Sequence, residues 1–161
     1  MYIEIDEPSD GVYLQKALDI IASWAEEWQL PVSVSKCSIL TVGRVYDRIR
    51  YHLNGTELPQ SNICRDLGVT ITSDLSPSQH ISEITLKAHQ RANPIIRCFV
   101  SGDTRLLVRA FIVYVRPLLE YNSVIWSPSL MKDIDLIEQV QRRFTKRLRC
   151  LDGVAYRLLK D

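Results

Sequence analysis

Several common functional patterns are missing from this 161-residue chain. No apolar run reaches the length of about 18 residues that a membrane span requires. The N-terminal segment MYIEIDEPSD is acidic where a signal peptide is basic. There is no glycine-rich phosphate loop and no nucleophile elbow. We therefore expect a soluble intracellular protein that does not act on a membrane.

The cysteines and histidines are too scattered to predict a metal site. The four cysteines stand at positions 37, 64, 98 and 150, and no pair has the short spacing of a zinc knuckle or a thioredoxin-type motif. The three histidines also form no metal-binding box. We expect free thiols buried in the interior, and we assign no metal ligands and no cofactor to this chain.

Charge is nearly balanced over the whole chain but is distributed unevenly along it. The 20 basic and 19 acidic residues give a net charge of +1. Residues 1–40 carry seven acids against Lys16 and Lys36, whereas the segment from Lys87 to Arg149 has twelve bases against five acids, an excess of seven. This basic segment predicts a surface for a polyanion. The alternative is that these charges only solvate exposed helix faces.

Apolar periodicity predicts a mixed first half. A helix begins at Ser9 or Asp10 and ends before Pro31, with Trp24 and Trp28 on its buried face. The alternating segment VSVSKCSILTV then predicts a strand. Asn54-Gly55 predicts a hairpin turn, because both residues tolerate positive φ. The segment RDLGVTIT predicts a further strand, with Gly68 at a bulge or a close approach of the backbone.

The second half has helical periodicity. The boundary falls near residues 73–77, and the first helix that follows should kink or end at Pro94. A second helix is predicted from about Thr104 to Val115, and a third from about Met131 to Leu148.

Four segments, in order, resemble one known family. They are LQKALDIIASWAEEWQLPVSVSKCSIL, RDLGVTITSDLSPSQHI, YVRPLLEYNSVIWSP and IDLIEQVQRRFTKRL. Together they resemble the reverse transcriptases of non-long-terminal-repeat, LINE-type retrotransposons, and the resemblance runs from about Tyr2 to Arg149.

The resemblance implies an α+β chain that forms part of a right-hand polymerase. Residues 1–76 would be a partial palm, a helix plus short antiparallel strands that follow the catalytic aspartate hairpin. Residues 77–161 would be an all-helical thumb, truncated at its C-terminal end. The F/Y-x-D-D motif, which would hold magnesium in the full-length enzyme, is absent here. We therefore expect a fragment of an RNA-directed DNA polymerase that extends no primer by itself.

The resemblance also implies site residues. Lys36 matches a lysine near the phosphates of the incoming nucleotide, as a phosphate contact or proton donor. Gly68 matches a hairpin close to the primer end. The thumb would hold the RNA/DNA template–primer duplex through basic residues that neutralise phosphates, namely Arg91, Arg97, Arg105, Arg109, Arg142, Arg143, Lys146, Arg147 and Arg149. Arg116 and Glu120 are one turn apart, which predicts a structural pair.

Two other interpretations remain open at this point. The chain would be a nonspecific nucleic-acid-binding module, or a translated remnant of a retroelement with no selected function. As part of a retroelement protein, it would lie in the nucleus or the cytoplasm and join the remainder of the polymerase.

Overall fold

The computed structural model describes residues 2–5, 10–43, 49–98 and 103–148. The described chain forms two compact units. The first comprises the described residues up to Arg65 together with Ile71–Leu75, and the second comprises Asp66–Thr70 and the described residues from Ser76 onward. Helices and short strands occur together, as expected for an α+β chain.

The first unit is built from one long helix and short strands. Helix α1 spans Asp10–Glu27, as its periodicity predicts. The strands are β1 (Ile39–Leu40), β2 (His52–Leu53), β3 (Thr56–Glu57) and β4 (Gln60–Ser61). Strands β2 and β3 pair in antiparallel register around Asn54-Gly55, and both turn residues have positive φ. The predicted hairpin is therefore confirmed.

The core of this unit lies between α1 and the hairpin. Tyr51, Leu53 and Leu58 are buried there, and the helix contributes Leu14 and Leu18. The Tyr51 hydroxyl has no hydrogen-bond partner, and it is the only buried side-chain polar atom in that state among the described residues. Burial raises the pKa of this phenol above its usual value.

The prediction that Trp24 and Trp28 are core residues was wrong. Their side chains are 52% and 63% exposed, and the two rings lie 6.3 Å apart on the surface. The helix packs instead through Leu14, Leu18 and Ala22, which follow one another at four-residue spacing. At 100° per residue, both tryptophans lie well away from Ala22 around the helix. Sequence spacing identified a wide apolar face, and the small strand layer covers only part of it.

Two strand predictions in the first half also need correction. In VSVSKCSILTV, residues Val34–Lys36 form a turn of 3₁₀ helix, and only Ile39–Leu40 pairs as a strand. The expectation of short antiparallel strands holds for β2 and β3 but not for β1, which runs parallel to β4. Parallel pairing requires a long connection, and residues 41–59, which include the hairpin, separate these two strands.

The segment predicted as one strand between Arg65 and Thr72 is part of a hairpin. Strand β5 (Ile63–Asp66) pairs with β6 (Val69–Thr72). Leu67 and Gly68 connect them, with φ values of 45° and 87°. Two consecutive positive φ values are typical of a tight two-residue turn, and Gly68 adopts this conformation without the steric cost of a Cβ.

The second unit consists mainly of helices. They are α2 (Ser78–Cys98), α3 (Thr104–Tyr114), α4 (Arg116–Glu120), α5 (Ser123–Trp126) and α6 (Met131–Arg147). The predicted positions of α3 and α6 are confirmed. Asp103 caps α3 by accepting hydrogen bonds from the backbone N–H groups of Arg105 and Leu106. The core combines Ala88 and Ala92 of α2, Phe111 of α3, and Val140 and Phe144 of α6.

Helix α2 does not end at Pro94, so of the two predicted outcomes, a kink or an end, the end was wrong. The helix continues to Cys98 although the proline ring removes one backbone donor. Ala92 and Ile95, on either side of the proline, are buried in the core. Packing of this apolar face into the core stabilises the helix despite the missing backbone hydrogen bond.

Helices α2 and α6 lie parallel to each other. The Ser78 hydroxyl, at the start of α2, donates a 2.6 Å hydrogen bond to Oδ2 of Asp133 in the first turn of α6. Near the far ends of both helices, Nη1 of Arg147 donates a 2.8 Å hydrogen bond to Oδ1 of Asn93. These two contacts fix the register of the helix pair at both ends.

The prediction of interior thiols was wrong for the three described cysteines. Cys37 and Cys64 are half-buried, Cys98 is exposed, and all three are free. Cys150 lies outside the described residues.

Candidate nucleic-acid interface

A shallow cleft with a basic rim lies between α2 and α6, and its volume of about 10 Å³ leaves room for a ligand only at the rim. His89 and Asn93 contribute one side from α2, and Arg143 and Arg147 contribute the other side from α6. Each pair is separated by four residues, so its two members lie one above the other on the same helix face. The remaining residues that line the cleft are apolar, namely Ala92, Ile96, Val140 and Phe144.

The hydrogen bond between Arg147 and Asn93 positions one guanidinium group in this cleft. It occupies one N–H of Arg147 and joins that side chain to the opposite helix. A guanidinium has five N–H donors in a planar fork, so four donors remain after this contact. A neutral amide therefore orients the arginine without cancelling its charge.

The arginines of this unit fall into two classes according to their ion pairs. Arg142 pairs with Glu138 on α6, and Arg116 pairs with Glu120 at 2.5 Å, which confirms the predicted structural pair. Within the described parts of the chain, Arg143 and Arg147 make no ion pair with a carboxylate, and the same holds for Arg91, Arg97, Arg105 and Arg109. The positive charge at the rim of the cleft is thus not neutralised by a neighbouring acid.

His89 is affected directly by these two arginines. Partial burial lowers the pKa of its imidazole below the usual value, and the positive charges of Arg143 and Arg147 lower it further. The free protein therefore favours neutral His89. An anion placed between the two arginines would act in the opposite direction on the same imidazole.

The predicted phosphate-binding residues are all exposed where the structure describes them, but they do not form one surface. Arg97 follows Asn93 by one turn and so lies on the cleft side of α2, whereas Arg91 lies on the other side of that helix. Arg105 and Arg109 form a separate exposed pair on α3. Arg149 lies outside the described residues.

Lys146 and Arg142 lie on the outer side of α6. They are four residues apart and follow a different helix face from Arg143 and Arg147. Arg143 and Arg147, by contrast, line the cleft beside Phe144.

Gly68 lies at the exposed turn between β5 and β6, where its positive φ explains the choice of glycine. A side chain at this position would place its Cβ 3.5 Å from the ring of Tyr121. The Tyr121 hydroxyl also donates a 3.1 Å hydrogen bond to the carbonyl of Leu67. The turn is thus stabilised by an aromatic side chain of the same unit.

Lys36 is the last residue of the 3₁₀ turn in the first unit, and its side chain is exposed. The strand on which it was expected is not present at this position. Its predicted contact with nucleotide phosphate stays a prediction.

The two aromatic residues near α5, Tyr121 and Trp126, differ in burial. Trp126 is buried, and its indole N–H donates a 2.7 Å hydrogen bond to the carbonyl of Tyr121. Its ring lies 5.4 Å from that of His80. Tyr121 itself is more than half exposed.

The described residues contain neither a metal-binding group nor a membrane-spanning helix. No group of three or more His, Cys, Asp and Glu side chains is arranged to hold a metal ion in this part of the chain. Likewise, none of the described helices is long and apolar enough to cross a membrane.

Among known proteins, the chain is similar to an uncharacterized protein of Caenorhabditis elegans, with 28% identity over 87 residues. The match covers 54% of this chain and 44% of that protein, so the chain spans less than half of the relative's length. No protein-family model matches the chain, and no solved structure matches it.

Sequence reasoning missed His89 and Asn93. The sequence analysis treats the histidines only as metal ligands and assigns no role to Asn93. The usable signal was their four-residue spacing on a helix that also carries Arg97 one turn later. The role of His89 and Asn93 depends on which residues of α6 face them, and the sequence alone does not show this.

Proposed function

We propose that this chain is part of a reverse transcriptase of a non-long-terminal-repeat retrotransposon, and that its helical unit holds a nucleic-acid duplex. The order of the four family-like segments supports the first part of the proposal. One observation carries the second part. Arg143 and Arg147 lie side by side without a carboxylate partner among the described residues, next to a neutral hydrogen-bonding residue.

This arrangement is suited to phosphate groups rather than to bases. Arginine binds phosphate oxygens through its planar fork of donors, and phosphate contacts position a duplex without reading its sequence. The helical unit carries no recognised base-reading motif. Binding should therefore be sequence-independent and strongly weakened by salt.

A binding measurement with matched variants tests this function. Fluorescence anisotropy of a labelled RNA–DNA hybrid gives the affinity of the full chain. Replacing three basic residues of α6 by Ala (Arg143, Lys146 and Arg147) should weaken binding by at least about tenfold, since charge-assisted contacts to phosphate are lost.

The control removes the same number of positive charges from the first unit, at Lys16, Arg50 and Arg65. These side chains are exposed, and the pair of Arg50 with Glu57 is a surface pair that contributes little to stability. This variant should keep the parent affinity to within about twofold. Equal losses in both variants would mean that the chain binds through general charge, and no binding by the parent would refute the function.

A further inference from the structure

We propose that the rim of the cleft formed by His89, Asn93, Arg143 and Arg147 binds one backbone phosphate of the duplex, and that His89 takes up a proton when the phosphate binds. This inference rests on the proposed function and deepens it. It selects one site among the exposed basic residues and makes the binding of nucleic acid dependent on pH.

The cleft differs from an ordinary basic helix face in its hydrogen bonding. On the outer side of α6, Arg142 is engaged by Glu138. On the cleft side, Arg147 is held by the uncharged Asn93, and Arg143 lies one turn before it. Two arginines with donors to spare therefore line the same rim one helical turn apart, and a phosphate placed between them would accept from both.

The apolar lining of the cleft strengthens such an interaction. Ala92, Val140 and Phe144 are buried beneath the rim. Charged groups interact more strongly next to an apolar surface than in bulk water, because the local dielectric constant is lower. A phosphate at this rim would be less screened than one on the outer side of the helix.

His89 supplies the dependence on pH. The charges that act on it in the free protein are those of Arg143 and Arg147 on the facing helix, and both are positive. On α2 itself, the residues one turn away are Thr85, Leu86, Ala92 and Asn93, and none of them ionises. A phosphate at the rim would offset the charges of the two arginines and favour the protonated imidazole, which adds a positive charge beside the phosphate.

The test compares two double variants of the same helix in the full chain. Arg143→Ala with Arg147→Ala removes two charges from the cleft, and Arg142→Ala with Lys146→Ala removes two charges from the outer side. The cleft variant should weaken binding of the RNA–DNA hybrid by about tenfold or more, and the outer variant by less than about threefold. All four positions are exposed, so substitution should leave the fold intact.

The second measurement detects the proton. The parent should bind the hybrid several-fold more tightly at about pH 6 than at about pH 7.5, where a free histidine is mostly neutral. His89→Gln should lose this difference, whereas His52→Gln, an exposed histidine of the first unit, should retain it. If His89 only stabilised the fold, its replacement by Gln would not remove the pH dependence of binding.

The possible failures are distinguishable. Suppose that the unsubstituted chain binds the hybrid but the two double variants lower the affinity equally, or that His89→Gln keeps the full pH difference. The cleft is then not the phosphate site, and the proposed function still stands. If the parent binds no hybrid at either pH, both the cleft and the proposed function are refuted.

Discussion

The Ser78 hydroxyl donates a hydrogen bond to the carboxylate of Asp133, which is only 1% exposed, and so joins the first turn of α2 to the first turn of α6. An acid in the first turn of a helix is favoured by the helix dipole, but a buried carboxylate also needs hydrogen-bond donors. Ser78 supplies one of them from the other helix. The contact therefore sets the register in which the two sides of the basic cleft meet.

The first prediction concerns this contact. Ser78→Ala should lower the free energy of unfolding by about 1.5–3 kcal/mol, because a hydrogen bond to a buried charged group is lost. Ser78→Thr keeps the hydroxyl and should recover most of the stability. Ser82→Ala, one turn later on an exposed site, is the matched control and should have little effect. Urea unfolding measures all three, and an unchanged Ser78→Ala variant would show that the contact does not stabilise the helix pair.

A second prediction concerns the core of the first unit. The Tyr51 hydroxyl is buried without a partner, and an unsatisfied polar group reduces stability. Tyr51→Phe should therefore raise the free energy of unfolding by about 1 kcal/mol. Tyr13→Phe, on the exposed side of α1, should leave it unchanged. A destabilised Tyr51→Phe variant would indicate that the hydroxyl makes a stabilising contact.

The third prediction follows from the lowered pKa of His89. In the unfolded chain this imidazole has the usual value of about 6.5, so the unfolded state binds a proton more readily than the folded state. The free energy of unfolding should thus be unaffected by His89 well above about pH 6.5 and should fall as the pH drops below it.

Urea unfolding across this pH range provides the measurement. His89→Gln should remove this part of the acid destabilisation, and Arg143→Ala should reduce it, because one of the two positive charges is gone. His52→Gln is the control and should follow the parent. If the free energy of unfolding of His89→Gln varies with pH as that of the unsubstituted chain does, the acid sensitivity comes from other groups.

The sequence predicted local features of the fold well and packing partners less well. Asn54-Gly55 and the apolar stripe of α6 are local patterns, and both have the predicted structure. Trp24 and Trp28 were assigned wrongly because spacing alone does not say how much of a face its neighbours cover. Pro94 does not end its helix because the buried residues around it stabilise a helix that its local preference disfavours.

The candidate site shows the same limit. Sequence spacing separated Arg143 and Arg147 from Arg142 and Lys146, but it did not show which pair faces another helix. That choice depends on the parallel packing of α2 against α6, fixed by Ser78 with Asp133 and by Asn93 with Arg147. Contacts between residues this distant in sequence are not contained in any local pattern.

Binding of duplex through phosphate neutralisation is the central claim, and its salt dependence tests that claim most directly. If four to six phosphates are neutralised, a plot of the logarithm of the association constant against that of the salt concentration should have a slope of about −4 to −5 for a DNA duplex. Replacing Arg142, Arg143, Lys146 and Arg147 by Ala should make this slope shallower by about 1 to 2 units, chiefly through the loss of the two cleft arginines. A quadruple variant that keeps the parent's slope would contradict the account, because the basic residues of α6 would then be a solvated helix face that contacts no phosphate.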